Sequence, residues 1–204
     1  MLELAESEIS RRLTAASLPP AEEDNSAGWM PAGARPAAVL IPFLRISDAW
    51  HILFTRRTEL VADHKGQVAF PGGRADPGDP SPEFTALREA NEEIGLNPGD
   101  VNVLGRLPEF PTITNYCVTP VVGVIPWPYP LRLAAIEVNR AFFIPLTWLA
   151  DPGHHEIRTR TIPGTDVPIP VIYFQPYDGE LLWGVSAQIT VNLLFALGLL
   201  RPPA

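Results

Sequence analysis

The sequence predicts an α/β or α+β sandwich, in which helices cover a mixed β-sheet. Apolar runs of strand length recur along the chain, a well-capped helix interrupts them near residue 88, and an apolar helical stretch closes the chain. The length of 204 residues and the hydrophobic content of 46% suit one domain with a substantial core.

Helices are predicted near both ends and in the middle of the chain, with groups of strands between them. The predicted strands are 37–44, 50–55, 67–70, 101–107, 118–125, 155–161 and 169–174. The predicted helices are 2–16, 82–94 and 185–199, the last of them amphipathic. A loop is expected at 18–35, and Pro71, Gly72 and Gly73 are expected to form a turn.

The internal helix has clear start and stop signals. Ser81 is a suitable N-cap, Pro82 stands where proline is tolerated, and Gly95 is a suitable left-handed C-cap. Phe84 and Ile94 are among the apolar residues expected to bury one face of this helix. Its acidic residues are therefore expected to point outward from a rigid platform.

Composition disfavours several classes of function. Fifteen Lys and Arg against 23 Asp and Glu give a formal charge of −8, which offers no electrostatic attraction to nucleic acid or an anionic membrane. Cys117 is the single cysteine, so neither an internal disulfide nor a cysteine-based zinc site is expected. No apolar stretch approaches the ~20 residues needed to span a bilayer. We expect a cytoplasmic protein with a small-molecule partner.

Three glutamates on the internal helix form the candidate metal site. Glu89, Glu92 and Glu93 are three and four residues apart and share a helix face. Each close pair repels by roughly 0.2 to 0.5 kcal/mol, and the C-terminal end of the helix dipole disfavours Glu92 and Glu93 further. A solvated acidic face is the alternative, but violations of local preference are typical of functional sites. All-oxygen ligands suit Mg²⁺, with Mn²⁺ as a substitute.

The run GGRADPGDPSPEFTALREANEEIGL, from Gly72 to Leu96, resembles a Nudix box. The usual box is Gly, five residues, Glu, seven residues, and then Arg-Glu-x-x-Glu-Glu-x-Gly followed by an apolar residue. The second half matches at every defined position. In the first half Asp79 replaces the usual Glu, and eight residues instead of seven separate it from Arg88.

The run LFTRRTELVADHKGQVAFPGG, which precedes and overlaps the box, is similar to the motif of coenzyme A pyrophosphatases. The matching positions are Thr55, Arg57, Gly66, Phe70, Pro71, Gly72 and Gly73. Ala62 stands where that motif has a second arginine, for which Lys65 or Arg56 would have to substitute.

The resemblance covers most of 37–200 and implies the Nudix α/β/α sandwich, with residues 1–35 as an N-terminal helix and loop extension and 36–204 as the Nudix domain. It implies Mg²⁺-dependent cleavage of coenzyme A into 4′-phosphopantetheine and adenosine 3′,5′-bisphosphate. Glu89, Glu92 and Glu93 would hold the metal and Arg88 would orient them. One helix glutamate, or Glu137, would be the general base.

The same resemblance suggests where the substrate binds. Arg57, Lys65 and Arg74 are the candidate cations for its phosphates, including the 3′-phosphate. Gly72 and Gly73 would let backbone N–H groups approach phosphate oxygens. Three alternatives stay open: another nucleoside diphosphate derivative such as ADP-ribose, a nucleotide-binding regulator without catalysis, and, least compatible with the charge, a nucleic-acid-binding protein. The sequence does not define the oligomeric state.

Overall fold

A mixed β-sheet of eight strands forms the centre of the protein, as a computed structural model shows. The structure describes residues 4–17, 33–59, 66–162, 164 and 166–201. The sheet strands are β1 Arg35–Ile46, β2 Ala49–Arg57, β3 Val68–Ala69, β4 Gly72–Arg74, β5 Asn102–Arg106, β6 Phe110–Pro111, β7 Tyr116–Val124 and β8 Val138–Pro145. Strands β9 His155–Thr161 and β10 Pro168–Phe174 form a separate hairpin.

The helices are α1 Glu6–Ala16, α2 Pro82–Ile94, α3 Leu146–Leu149 and α4 Gly184–Ala196. Strand β1 runs parallel to β7 and antiparallel to both β2 and β4. Strand β2 also pairs with β3 and β8, and β7 also pairs with β5 and β6, all antiparallel. The single parallel pair makes the sheet mixed, so the predicted fold class is confirmed.

The two faces of the sheet bury two separate groups of apolar side chains. On β1, Ala38 and Leu40 pack with the α2 side, whereas Ile41 and Phe43 belong to the group that includes α1 and α4. Alternating side chains of one strand point to opposite faces, so a strand buried on both faces reads as a continuous apolar run. The sheet therefore lies between α2 on one side and α1 with α4 on the other.

Helix α1 packs against the edge of the sheet and against α4. Ile9 and Leu13 are fully buried, as the predicted periodicity requires. The indole of Trp50 donates a hydrogen bond of 2.7 Å to the Leu4 carbonyl, which ties the start of this segment to β2. Most of the expected loop at 18–35 lies outside the described residues, and the division at residue 35 stays a prediction.

Two local expectations were wrong, and two short elements were not predicted. Gly72 and Gly73 lie in strand β4 instead of a turn, because their backbone pairs with Val39 and Ala38 of β1. Helix α4 is not amphipathic, since its buried residues include the consecutive Ile189, Thr190 and Val191 and so extend around much of its circumference. The short elements β6 and α3 have too few residues to leave a periodic signal. None of the helices in the described part of the chain is long and apolar enough to cross a membrane.

Candidate metal and phosphate site

Helix α2 holds the acidic residues in fixed register. Its N-terminus is capped by Ser81, whose Oγ accepts a hydrogen bond of 3.2 Å from the Phe84 N–H. Gly95 ends the helix with a left-handed φ of 69°. Both predicted caps are confirmed. The helix packs on the sheet through Ala86, Ala90 and Ile94, which are fully buried.

Glu93 has the most deeply buried carboxylate of the three glutamates, with only 5% of its side chain exposed. The Gly72 N–H donates to its Oε2 at 3.3 Å, and Nη1 of Arg57 lies 3.5 Å from its Oε1. Burial raises the pKa of Glu93 to about 7, against the lowering effect of Arg57 and Gly72; Glu89 and Glu137 raise it further. The nearby positive groups therefore do not fully compensate the negative charge of this buried carboxylate.

Glu89 lies one helical turn before Glu93 and beside strand β4. Its side chain is 17% exposed, and its Oε1 lies 2.9 Å from Nη1 of Arg88. Burial raises the pKa of Glu89, Arg88 opposes that rise, and the charges of Glu92 and Glu137 add to it. A Cβ on Gly73 would lie 2.6 Å from the Glu89 carboxylate. The Glu89 carboxylate therefore packs directly against the Gly73 backbone, and a larger residue at position 73 would have to displace it.

Glu92 differs from the other two glutamates, because 58% of its side chain is exposed and its only described ion pair is with Arg88, at 3.3 Å. The expectation that all three acids point outward from a face buried by Phe84 was wrong. Phe84 is exposed, whereas Glu93 is buried with Ala86 and Ala90. The stripe of small residues brings the helix close to the sheet, and Glu93 lies on that stripe.

Asp79, which stands where the usual Nudix box has Glu, contacts Arg88. Its Oδ2 lies 3.0 Å from Nη2 of Arg88, and it also accepts hydrogen bonds from the Asp76 N–H and the Thr85 hydroxyl. These partners, Arg88 first, lower the pKa of Asp79 to about 2. Arg88 thereby links Asp79 to Glu89 and Glu92. Its position in the box was the signal for this role, although the spacing is irregular.

Glu137 approaches the site from a loop that precedes β8. The Ala134 N–H donates to the Glu93 carbonyl at 2.9 Å, which attaches this loop to the end of α2. The Thr58 N–H donates to the Glu137 carbonyl at 2.9 Å, which attaches it to the end of β2. The Glu137 side chain is exposed, and its charge raises the pKa of both Glu89 and Glu93. The negative charges of Glu89, Glu93 and Glu137 therefore repel one another.

The predicted phosphate-binding cations divide into three groups. Arg57 lies at Glu93, inside the site. The exposed side chain of Arg74 lies 4.0 Å from Asp76, and its backbone carbonyl accepts a hydrogen bond from Arg88. Lys65 lies outside the described residues. Arg56, the suggested substitute, is 3.7 Å from Glu180, which anchors it away from Glu93.

The donor set fits a hard divalent cation. Glu89 and Glu93 offer carboxylate oxygens whose negative charge is made costly by burial, and the Glu89 carboxylate lies directly against Gly73. Within the described ranges no three His, Cys, Asp or Glu side chains already form a metal-binding group. Arg57 and Arg88 contact these carboxylates instead, so binding a cation would require them to rearrange.

Comparisons with known proteins identify the class. The NUDIX domain family matches residues 34–157. The chain is 38% identical over 164 residues to the uncharacterized Nudix hydrolase NudL of Escherichia coli K12, covering 80% of this chain and 83% of that protein. NudL of Shigella flexneri serotype 5b is 38% identical over 168 residues, covering 82% and 85%. The chain therefore belongs to the Nudix family and is an enzyme, a Nudix pyrophosphatase.

A solved structure agrees with the fold. The MutT/nudix family protein from Enterococcus faecalis superposes with a TM-score of 0.54 at 15% identity, covering 97% of this chain and 71% of that one. At this identity the likeness concerns the fold alone.

Proposed function

We propose that the protein is a Mg²⁺-dependent pyrophosphohydrolase that cleaves coenzyme A into 4′-phosphopantetheine and adenosine 3′,5′-bisphosphate. The observation that carries the proposal is the buried Glu93 carboxylate, which lies beside Glu89 and strand β4 with Arg57 3.5 Å away. Buried carboxylates whose negative charge is incompletely compensated, next to a glycine and an arginine, suit the binding of a cation together with a diphosphate.

The choice of coenzyme A rests on the segment before the Nudix box. Thr55 and Arg57 lie at the end of β2, and Phe70, Gly72 and Gly73 lie in and before β4, where Gly72 donates to Glu93. Of the residues shared with the coenzyme A pyrophosphatase motif, Arg57 and Gly72 thus contact Glu93 and Gly73 lies against Glu89, whereas Phe70 packs against Phe54 in the apolar core. This proximity supports a role of the motif in substrate binding.

Glu89 and Glu93 would hold the cation, with Glu92 within reach of the same region on the exposed side. When bound there, Mg²⁺, or Mn²⁺ in its place, would supply the positive charge that neutralises a diphosphate and makes water more acidic. Arg88 keeps Glu89 and Glu92 oriented and is itself fixed by Asp79. Arg57 supplies a cation for a substrate phosphate, and Arg74 or Lys65 supplies one for the 3′-phosphate.

Glu137 or one of the helix glutamates takes a proton from the attacking water. The water oxygen bonds to phosphorus, the anhydride P–O bond breaks, and the leaving phosphate takes the bonding electrons. Glu137 suits this role because its charge acts on Glu89 and Glu93 and its loop is hydrogen-bonded to both α2 and the residue after β2. Neither product needs a further reactant beyond water.

The experiment compares purified protein on coenzyme A, ADP-ribose and NADH with Mg²⁺. Coenzyme A is expected to have the highest kcat/KM. Hydrolysis in ¹⁸O-labelled water, followed by mass spectrometry of both products, identifies the broken bond and the attacked phosphorus together. Equal or faster turnover of ADP-ribose would overturn the choice of substrate, and binding of all three without turnover would favour a regulator.

A further inference from the structure

Arg57 and Arg88 both contact acids of α2, but Arg88 makes more polar contacts there than Arg57 does. Arg88 uses Nε and Nη2 on Asp79 and Nη1 on Glu89. Arg57 reaches Glu93 with Nη1 at 3.5 Å, beyond the distance of a well-formed hydrogen bond. Its buried Nε has no hydrogen-bond partner among the described residues. Arg88 is therefore a fixed part of the site, whereas Arg57 has unused hydrogen-bonding capacity.

The contact of Arg57 with Glu93 is longer than a well-formed charge-assisted hydrogen bond, which spans ~2.7 to 2.9 Å. Glu93 is 5% exposed, so its charge is poorly solvated, while Arg57 is 27% exposed and can turn toward solvent. A buried carboxylate without a nearby cation is costly. The Arg57 guanidinium thus compensates part of the negative charge of Glu93, although the contact between the two groups is weak.

We propose that Arg57 is a placeholder cation, which neutralises Glu93 in the metal-free enzyme and moves to a substrate phosphate once a divalent ion occupies Glu93. The inference rests on the proposed function, because it takes Glu93 as a metal ligand. It adds an order of events: the metal ion releases Arg57, and the released guanidinium then recognises the substrate. Arg57 is a positioning residue before the substrate binds and a binding residue afterwards.

Competition for one carboxylate has a measurable consequence. The guanidinium and the metal ion cannot both occupy the same face of Glu93, so part of the metal's binding free energy is spent on displacing Arg57. Removal of Arg57 should then tighten metal binding when no substrate is present. A residue that merely supports the site would have the opposite effect, because its loss would disorder the ligands.

The first test titrates Mn²⁺ into the full chain by isothermal calorimetry without substrate. Arg57→Gln is expected to bind Mn²⁺ about five- to tenfold more tightly than the wild type, as loss of one partly exposed ion pair implies. Arg57→Lys, which keeps the charge, is expected to stay near the wild type. Unchanged or weaker Mn²⁺ binding by Arg57→Gln would overturn the proposal.

Arg56→Gln is the matched control, because it removes the same charge from the neighbouring position. Arg56 pairs with Glu180 and Glu59 and not with Glu93. Its Mn²⁺ affinity is expected to match the wild type. An equal gain in Arg56→Gln and Arg57→Gln would show a general effect of net charge and would overturn a specific role for Arg57.

Thermal unfolding provides the second test. In EDTA, Arg57→Gln is expected to unfold at a lower temperature than the wild type, because Glu93 loses its only described cationic partner. In saturating Mn²⁺ the difference is expected to shrink, because the metal supplies that charge. A deficit of the same size under both conditions would show that Arg57 is purely structural.

The outcomes separate this inference from the proposed function, since neither test involves coenzyme A. Tighter binding by Arg57→Gln together with no coenzyme A hydrolysis would leave the placeholder role intact and remove only the substrate. Loss of Mn²⁺ binding in Glu93→Gln with unchanged binding in Arg57→Gln would remove only the placeholder role. Wild-type Mn²⁺ binding in Glu93→Gln would remove the metal site and both proposals.

Discussion

Helices α1 and α2 treat their glutamates in opposite ways. On α1, Glu8 pairs with Arg11 at 2.7 Å and with Arg12 at 2.5 Å, at the favourable spacings of three and four residues. Hydrogen bonds from these arginines lower the pKa of Glu8 to about 2. On α2, burial raises the pKa of Glu93 to about 7. On α1 the glutamate is paired with arginines of the same helix. On α2 a glutamate is buried, where its negative charge is costly.

The comparison indicates that the uncompensated acids of α2 serve a purpose other than solubility or helix stability. If acidic residues were needed only for solubility or helix stability, the pattern of α1 would serve. Helix α2 instead places Glu93 against the sheet and next to Glu89, an arrangement that a bound cation would relieve. We therefore attribute the placement of Glu93 beside Glu89 to the function of the protein.

The largest expected effect is on activity. Glu93→Gln and Glu92→Gln are each expected to lower the rate of coenzyme A hydrolysis at least ~10²-fold, because each removes a charge held for the metal. Steady-state kinetics measure this, with circular dichroism to confirm folding. Glu83→Gln is the control on the same helix, since Glu83 lies near Arg106 instead of the site. Unchanged turnover in both Glu92→Gln and Glu93→Gln would refute the assigned site.

The second prediction concerns stability against pH without metal. The pKa of Glu93 is about 7 in the folded protein against an ordinary 4.5, so the folded state keeps a proton that the unfolded chain releases. Stability should therefore fall as pH rises from about 4.5 to about 7, by about 2 to 3 kcal/mol. Urea unfolding in EDTA measures this difference between the wild type and Glu93→Gln, which lacks the group.

Two results would count against that prediction. A wild type and a Glu93→Gln variant that lose stability in parallel over this pH range would show that Glu93 is not the titrating group. A wild type that gains stability relative to the variant as pH rises would show that Glu93 is well compensated in the folded protein. Saturating Mn²⁺ should abolish the difference if the metal binds there.

The third prediction concerns the clamp on Arg88. Asp79→Asn removes the charge that holds Arg88 in place and should lower kcat about tenfold, through misplacement of Glu89 and Glu92. The KM should change little, because Asp79 does not face the proposed phosphate cations. Asp48→Asn is a suitable control, since it makes the same substitution in the exposed turn between β1 and β2. A loss confined to KM would contradict a positioning role.

The smallest effect is expected on α1. Glu8→Gln should leave kcat/KM unchanged and lower the thermal midpoint by about 1 °C or less, as is usual for exposed helical ion pairs. Because the pKa of Glu8 is lowered to about 2, this contribution is present at neutral pH and is lost as pH falls toward 2. A larger loss of activity in Glu8→Gln than in Glu93→Gln would reverse the comparison.

Much of the fold follows from periodic patterns. Strands β9 and β10 and the caps of α2 could be predicted because alternation, Ser81 and Gly95 are local signals. The pairing of Gly72 and Gly73 with β1 could not, because a three-residue strand depends on a partner distant in the chain. The exposure of Phe84 was missed for a similar reason: small residues, Ala86 and Ala90, form the contact with the sheet.

The site was predictable in composition but less so in geometry. The spacing of Glu89, Glu92 and Glu93 identified the acidic helix, but not that Glu93 is buried and Glu92 is exposed. The contact between Asp79 and Arg88 required folding of the proline-rich loop. The approach of Glu137 came from resemblance, since its position depends on hydrogen bonds from Thr58 and Ala134 in the folded chain.

The most direct measurement is anomalous diffraction from a crystal of the enzyme soaked in Mn²⁺. We expect one or more peaks at ~2.0 to 2.3 Å from carboxylate oxygens of Glu89 and Glu93, with the Arg57 guanidinium displaced from Glu93. Absence of a peak at saturating Mn²⁺, with Glu93 still paired to Arg57, would contradict this expectation.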